Sequence, residues 1–230
     1  NGPAVRLIDA RRLYARRYVQ FDVESVLAHE ASFTAMWSLL RRETLDSAAH
    51  PALIDRIVAA SDRNAAGVCR SLRDGVLEAL GELVAGFVRV GRQAHALGCL
   101  DDVYAQALVI VYRVLFLLFA ESRRLVPTWH PVYRESYSLE SLRELAEAPG
   151  RARGLWEALQ AVSRLAHAGC HAGDLRVTPF NGRLFAPSAT PLGERRGLDD
   201  EAARRALLAL STTQGPGGRR RISYRDLGVE

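Results

Sequence analysis

The stretch Asp102-Val-Tyr-Ala-Gln-Ala-Leu-Val-Ile-Val-Tyr-Arg-Val-Leu-Phe-Leu-Leu-Phe-Ala-Glu-Ser-Arg-Arg-Leu-Val126, closed by Pro127, is the longest apolar run in the sequence. Its polar interruptions Gln106, Arg113 and Arg124 fall on one narrow stripe of a helix with a 3.6-residue period. The rest of that cylinder is apolar, so it must be surrounded by lipid or by other helices of its own domain. As a helix, Val103 to Val126 would be a rod of roughly 36 Å, enough to span a bilayer. Against a membrane, Arg113 sits mid-span, Glu121, Arg123 and Arg124 crowd one end, and the rest of the chain offers amphipathic helices in need of a partner. Asp101 and Asp102 suit the helix N-terminus, and Arg123 and Arg124 its C-terminus. The expected fold is therefore mainly α. A helical bundle surrounds one long buried helix at about 102–126, with a small extended piece at the N-terminus and an irregular C-terminal arm.

Composition agrees. The 230 residues are 48% hydrophobic, enough for a substantial core, and aromatics are only 7%, with Ala and Leu abundant. The net charge of +5 is carried by arginine, because the chain contains no lysine. That excludes Schiff-base chemistry, a P-loop and the usual lysine-bearing nuclease constellation. Arginine runs at 195–196, 204–205 and 219–221 suit solvated faces or phosphate contacts. Cys69, Cys99 and Cys170 match no disulfide framework or zinc spacing, which points to a reducing, cytoplasmic setting. The opening Asn1-Gly-Pro and the close at Glu230 suggest a piece of a longer chain.

Along the chain, Val5–Asp9 and Tyr18–Asp22 read as short strands, with Arg11, Arg12, Arg16 and Arg17 between them. From Val23 the period becomes helical through Val26, Leu27, Phe33, Met36, Trp37 and Leu40. Pro51 opens a short helix ending near Ala60, and Ser61-Asp-Arg-Asn caps a longer one bearing Val68, Leu72, Val76, Leu80, Leu83, Phe87 and Val88. Gly67, Gly75, Gly81 and Gly86 within it mark a close contact, with the 102–126 helix as the expected neighbour. Gly98 ends it. Trp129 to Tyr137 reads as a ring-rich loop, Ser138 as the cap of a helix to Ala148, and 154–168 as the next helix. Beyond Gly169 the texture is Gly/Pro-rich, with a turn at Asn181-Gly182, a short helix near 200–210 and a basic loop at 211–224.

Few residues suggest chemistry. His167, Cys170 and His171 have metal-ligand spacing, as do His95 and Cys99, but a zinc site needs four converging ligands and the spacing supplies only local pairs. Helix-end histidines and buried cysteines are the plainer reading. Asp22 and Glu24 read as N-terminal helix acids. No nucleophile elbow, dinucleotide fingerprint or P-loop occurs. No catalytic, cofactor-binding or metal residue is assigned. Arg219, Arg220 and Arg221 are the first candidates for gripping a nucleic-acid backbone, followed by Arg195 and Arg196.

Four separated segments carry a resemblance: Tyr112-Arg-Val-Leu-Phe-Leu-Leu-Phe-Ala-Glu-Ser-Arg-Arg-Leu-Val-Pro127, Tyr133-Arg-Glu-Ser-Tyr-Ser-Leu139, Pro179-Phe-Asn-Gly-Arg-Leu-Phe185 and Arg221-Ile-Ser-Tyr-Arg-Asp-Leu-Gly-Val-Glu230. Together they resemble the middle region of single-chain type II restriction-modification proteins (type IIG or IIL, MmeI-like) and related phage-defence adenine methyltransferases. The resemblance implies that 1–21 is the trailing edge of an upstream nuclease-like domain, 22–170 a helical connector bundle, and 171–230 an arm and basic linker leading to a methyltransferase domain. S-adenosylmethionine is then implied for the parent protein and not for these residues, whose partners are DNA and the two flanking domains. The family's Gly-rich cofactor motif and Asn-Pro-Pro-aromatic motif have no counterpart here. The first expectation is a non-catalytic spacer that fixes the distance between cleavage and methylation modules. The alternatives are an independent nucleic-acid- or protein-binding helical module and a small metal enzyme using His167, Cys170 and His171.

Overall fold

The alternating segments at the start of the chain do pair. Strand β1 (Ala4–Ile8) runs antiparallel to β2 (Tyr18–Asp22), with Val5 opposite Phe21 and Leu7 opposite Val19. The computed structural model describes residues 4–8, 18–45, 53–93, 99–148, 150, 153–180, 182–215 and 218–224. Asp9, Arg11, Arg12, Arg16, Arg17, Pro51, His95, Gly98, Asn181 and residues 225–230, all used in reading the sequence, lie outside the described residues. The chain is mainly helical, as expected, and divides into two compact units, 1–64 and 65–230.

In the first unit the hairpin leads into helices α1 (Val23–Ala28), α2 (Glu30–Leu40) and α3 (Arg42–Leu45). The Asp22 carboxylate accepts the Glu24 N–H at 3.0 Å, the N-terminal use of acid expected there. Phe33 and Trp37, one turn apart on α2, stack with ring centroids 6.4 Å apart. Val26 and Thr44 are the buried side chains among the described residues of this unit, so its core is small.

Helix α4 runs unbroken from Leu53 to Gln93. The sequence reading places a boundary at Ser61, but a capping residue costs a helix interior only a few tenths of a kcal/mol when its side chain faces water, and Ser61 and Arg63 are exposed.

The second unit assembles its core from α4, α5 (Leu100–Ser122), α7 (Leu139–Glu147), α8 (Leu155–Ala168) and α11 (Asp200–Ser211). Smaller elements connect them. These are α6 (Pro131–Ser136), a hairpin of β3 (Cys170–Ala172) and β4 (Leu175–Val177), α9 (Gly182–Phe185), a 3-10 turn Pro187–Ala189, α10 (Pro191–Arg196), and a hairpin of β5 (Thr212–Gly215) and β6 (Gly218–Arg221). Part of the ring-rich loop at 129–137 is thus a short helix, entered through Pro131 at its first position.

Two expectations are corrected. Helix α5 is not enclosed on all sides. Val103, Ala107, Ile110, Val111, Val114, Leu117 and Leu118 face the core, whereas Tyr104 and Tyr112 are about half exposed at 51% and 54%. Tyrosine permits this because its hydroxyl stays in water while its ring covers the helix. Helix α11 packs against α5, α7 and α8, with Ala202, Ala203 and every residue from Ala206 to Ser211 buried. The short helix expected near 200–210 is present, and it belongs to the core.

The second correction concerns the glycines of α4. A side chain at Gly75 would come within 2.2 Å of the Ala209 carbonyl oxygen, and one at Gly86 within 2.6 Å of Leu198 and 2.9 Å of Ala202. The close partner is α11 and its entry residue, not α5. Gly75 and Gly86 lie three helical turns apart on one face and meet opposite ends of α11, so the two helices run antiparallel. Gly67 and Gly81 face open space.

These environments give opposite outcomes for one substitution. G81A should raise unfolding free energy by about 0.5–1 kcal/mol, because only the glycine helix penalty is removed. G75A should lower it by about 1–3 kcal/mol, since a backbone carbonyl must retreat. Urea titrations of the two variants check both signs.

Candidate nucleic-acid interface and the buried polar groups

The polar stripe of α5 has a structural use. Arg113 is 4% exposed, and its guanidinium donates from Nε to the Leu184 carbonyl at 2.8 Å, from one terminal nitrogen to Thr190 Oγ1 at 2.9 Å, and from the other to the Ala186 carbonyl at 2.8 Å. Seven residues earlier, Gln106 Oε1 accepts the Leu192 N–H at 2.7 Å, meeting an otherwise orphaned amide at the start of α10. Two side chains on one face of α5 thus hold the 182–192 segment, a run of short helical turns. Burial pulls the Arg113 pKa down from its ordinary value, and Glu194 opposes that shift. The guanidinium is the charged species, because arginine keeps its proton in proteins. Arg124, expected on the same stripe, sits beyond the helix end with φ at 55°.

A small cavity borders this cluster between α5, α8 and α10, lined by Arg113, Trp156, Gln160, Ser163, Thr190 and Glu194 with Ile110, Val114, Leu117 and Leu159. At about 20 Å³ it has room for a water molecule and not for an organic substrate. The buried Trp156 Nε1 has no protein partner, a polar atom that such a water would satisfy.

Glu121, in the last turn of α5, reaches the start of α7. Its carboxylate accepts the Leu139 N–H at 2.6 Å and the Glu140 N–H at 3.3 Å, while Ser138 Oγ accepts the Ser141 N–H at 3.1 Å, the cap expected from sequence. Desolvation pushes the Glu121 pKa up to about 7, outweighing the two amide donors that favour the anion. Neighbouring Tyr133, 1% exposed, is shifted upward by burial and then by Glu121.

The expected phosphate contacts fall on different surfaces. In the β5–β6 hairpin Thr213 pairs with Arg220 and Gln214 with Arg219. Arg221 is engaged within the protein, donating to Glu140 at 2.5 Å and Glu147 at 2.8 Å on α7, and its pKa is raised chiefly by the Glu147 hydrogen bond. Further ties fix the hairpin to the core: the Ile222 N–H donates to the Ser211 carbonyl at 2.9 Å, the Tyr224 hydroxyl to the Leu210 carbonyl at 2.5 Å, and the Thr213 hydroxyl to Ser71 Oγ at 2.9 Å. Arg219 and Arg220 are exposed. Strand alternation puts Arg219 on the side of Arg221, toward the acidic α7, and Arg220 on the opposite side. Arg195 is exposed on α10, a separate element, and the side chain of Arg196 lies outside the described residues. Sequence spacing could not single out Arg221, because Glu140 and Glu147 come beside it only on folding.

The candidate metal ligands do not converge. Among the described residues no three His, Cys, Asp or Glu side chains group around a point that could hold an ion. His171 is exposed on β3, and the buried Nδ1 of His167 has no partner. A histidine contact that the spacing did not suggest is His130 Nε2 with Asp174 Oδ1 at 3.1 Å, which joins the 127–130 loop to the tip of the β3–β4 hairpin. The hydrogen bond from His130 lowers the Asp174 pKa.

Glu121 sets a pH dependence. Its folded pKa, about 7, lies above the unfolded carboxylate value near 4.5, so the folded state holds an extra proton between those limits. Its contribution is present in full below pH about 4.5 and is lost as pH rises through about 7, at most about 3 kcal/mol. Unfolding free energies measured across that range should fall for the wild-type chain, and the decline should flatten in E121Q.

Comparison of the chain with protein-family models, with curated proteins and with solved structures returned no match.

Proposed function

We propose that this chain is the non-catalytic helical connector of a restriction-modification protein of the N6-adenine methyltransferase type, and that it touches the DNA backbone through its C-terminal hairpin. The observation carrying the DNA contact is the asymmetry of the three hairpin arginines. Arg221 is bound to Glu140 and Glu147, and this pairing fixes the strand from which Arg219 and Arg220 extend exposed guanidinium groups. An arginine on a fixed backbone suits a phosphate, because its fork of donors matches two oxygens and little ordering is needed on binding.

The connector role draws support from the four resembling segments and from the use of the buried polar groups. Arg113 and Glu121, the buried charged or titratable groups best placed for chemistry, each hold together parts of the second unit. In this reading S-adenosylmethionine belongs to a flanking module, and no residue here binds it or acts on DNA. Phosphate contact is independent of base sequence and salt-sensitive.

Titration of fluorescent duplex DNA over a series of salt concentrations tests the contact. The log–log salt slope should fall by about 1 in R220A, the loss of one phosphate contact, and by less in R219A, whose side chain shares the acidic side of the hairpin. R221A should chiefly lower stability. An absence of binding even at low salt would overturn the DNA contact.

A further inference from the structure

The outer face of α5 carries a pattern that the core uses only in part. Asp101, Ala105, Leu108, Tyr112, Leu115, Phe119 and Arg123 follow one another at intervals of three and four residues, the spacing of a coiled-coil seam. Ala105 and Tyr112 are exposed, and Leu108, Leu115 and Phe119 are half-buried with their inner edges against the core. Two pairs of the seam are equidistant from Tyr112, Ala105 and Phe119 at seven residues and Asp101 and Arg123 at eleven, while Leu108 and Leu115 stand four before it and three after. One end is acidic, with Asp101 and Asp102. The other is basic, with Arg123 and Arg124. Arg123 also lies over the Phe119 ring at 5.5 Å, extending the seam to its charged end.

We propose that this face is an antiparallel homodimer interface, occupied by α5 of a second copy of the chain related by a two-fold axis at Tyr112. The charge order selects the direction. Antiparallel pairing sets Asp101 and Asp102 beside the partner copy's basic end and opposes the helix dipoles, whereas parallel pairing would place acid on acid and base on base. The shapes agree, because the same axis lays small Ala105 against the ring of Phe119 from the other copy, twice, with Tyr112 against Tyr112 in the middle. The helix has 23 residues and is roughly 35 Å long, a span of several seam layers. The charges at both ends of the seam favour this occupant over lipid, for which α5 is otherwise long and apolar enough.

Sedimentation equilibrium of the whole chain from about 1 to 100 µM should show a monomer–dimer equilibrium. Y112E sets like charges face to face on the axis and should weaken the dimer by about tenfold or more, with far-UV circular dichroism unchanged. A second measurement does not depend on that variant. In a background with Cys69, Cys99 and Cys170 replaced, mild oxidation should cross-link Y112C to itself and A105C to F119C in a mixture, but not A105C to itself. A monomer at the highest concentration overturns the proposal, as does an A105C self-cross-link or an undiminished dimer in Y112E. A monomer that floats with anionic phospholipid vesicles would assign the face to a membrane, and a monomer in which Y112C resists thiol labelling would assign it to a cover within the same chain. Either outcome also overturns it.

Discussion

A guanidinium buried inside an apolar helix constrains everything around it. Left without partners, a charge at Arg113 would cost several kcal/mol, and desolvation of this kind is compensated only by hydrogen bonds of good geometry. Those bonds come from the carbonyls of Leu184 and Ala186 and the hydroxyl of Thr190. Carbonyls turned outward in this way occur at the ends of short helices such as α9, whereas the interior of a long helix or strand uses its own. The short helical turns of 182–190 are therefore what allow α5 to carry a charge, and the charge fixes a path for a segment rich in small residues. Around this contact Phe116, Phe180 and Phe185 pack with ring centroids 5.5 to 5.8 Å apart, which shields the polar cluster from water on one flank.

Carboxylates link the remaining helices. Asp199 caps α11 through the Ala202 N–H and pairs with Arg89 of α4, while Asp200 accepts the amides of Gly154 and Trp156 at the start of α8. Two adjacent residues thus tie three helices at one point. Glu121 does the same between α5 and α7, in a less hydrated place, which is why its proton is held to higher pH. Asp200 and Glu121 meet helix termini distant in sequence, and these long-range ties add to the local caps at Asp199 and Ser138.

Much of the architecture can be read from periodicity. The β1–β2 pair, the Ser138 cap, the span of α8 and the long helix at 100–122 all follow from spacing and turn residues. What escapes is partnership. Gly75 and Gly86 announce a close neighbour, but nothing in their spacing distinguishes α5 from α11. Helix α11 itself hides behind the charged run Asp199 to Arg205, with only five consecutive apolar residues after it, so its burial is visible only once the surrounding helices are in place. The hairpin arginines are alike in sequence and differ in space, since Glu140 and Glu147 lie some eighty residues away along the chain from Arg221. The outer seam of α5 was hidden by its own hydrophobicity, because an apolar residue reads as interior whether it meets a core or water.

The position of α11 bears on how the molecule is made. The ribosome delivers α4, α5, α7 and α8 first, each with an apolar face and without the segment that fills the space among them. Closure waits for residues beyond 200, and the contact between Gly75 and Ala209 bridges most of the second unit's length. Such distant contacts slow folding, because a long loop must close before any burial rewards it. During synthesis the nascent bundle is an open shell until nearly its last helix emerges, and that interval is when it most needs a chaperone's cover.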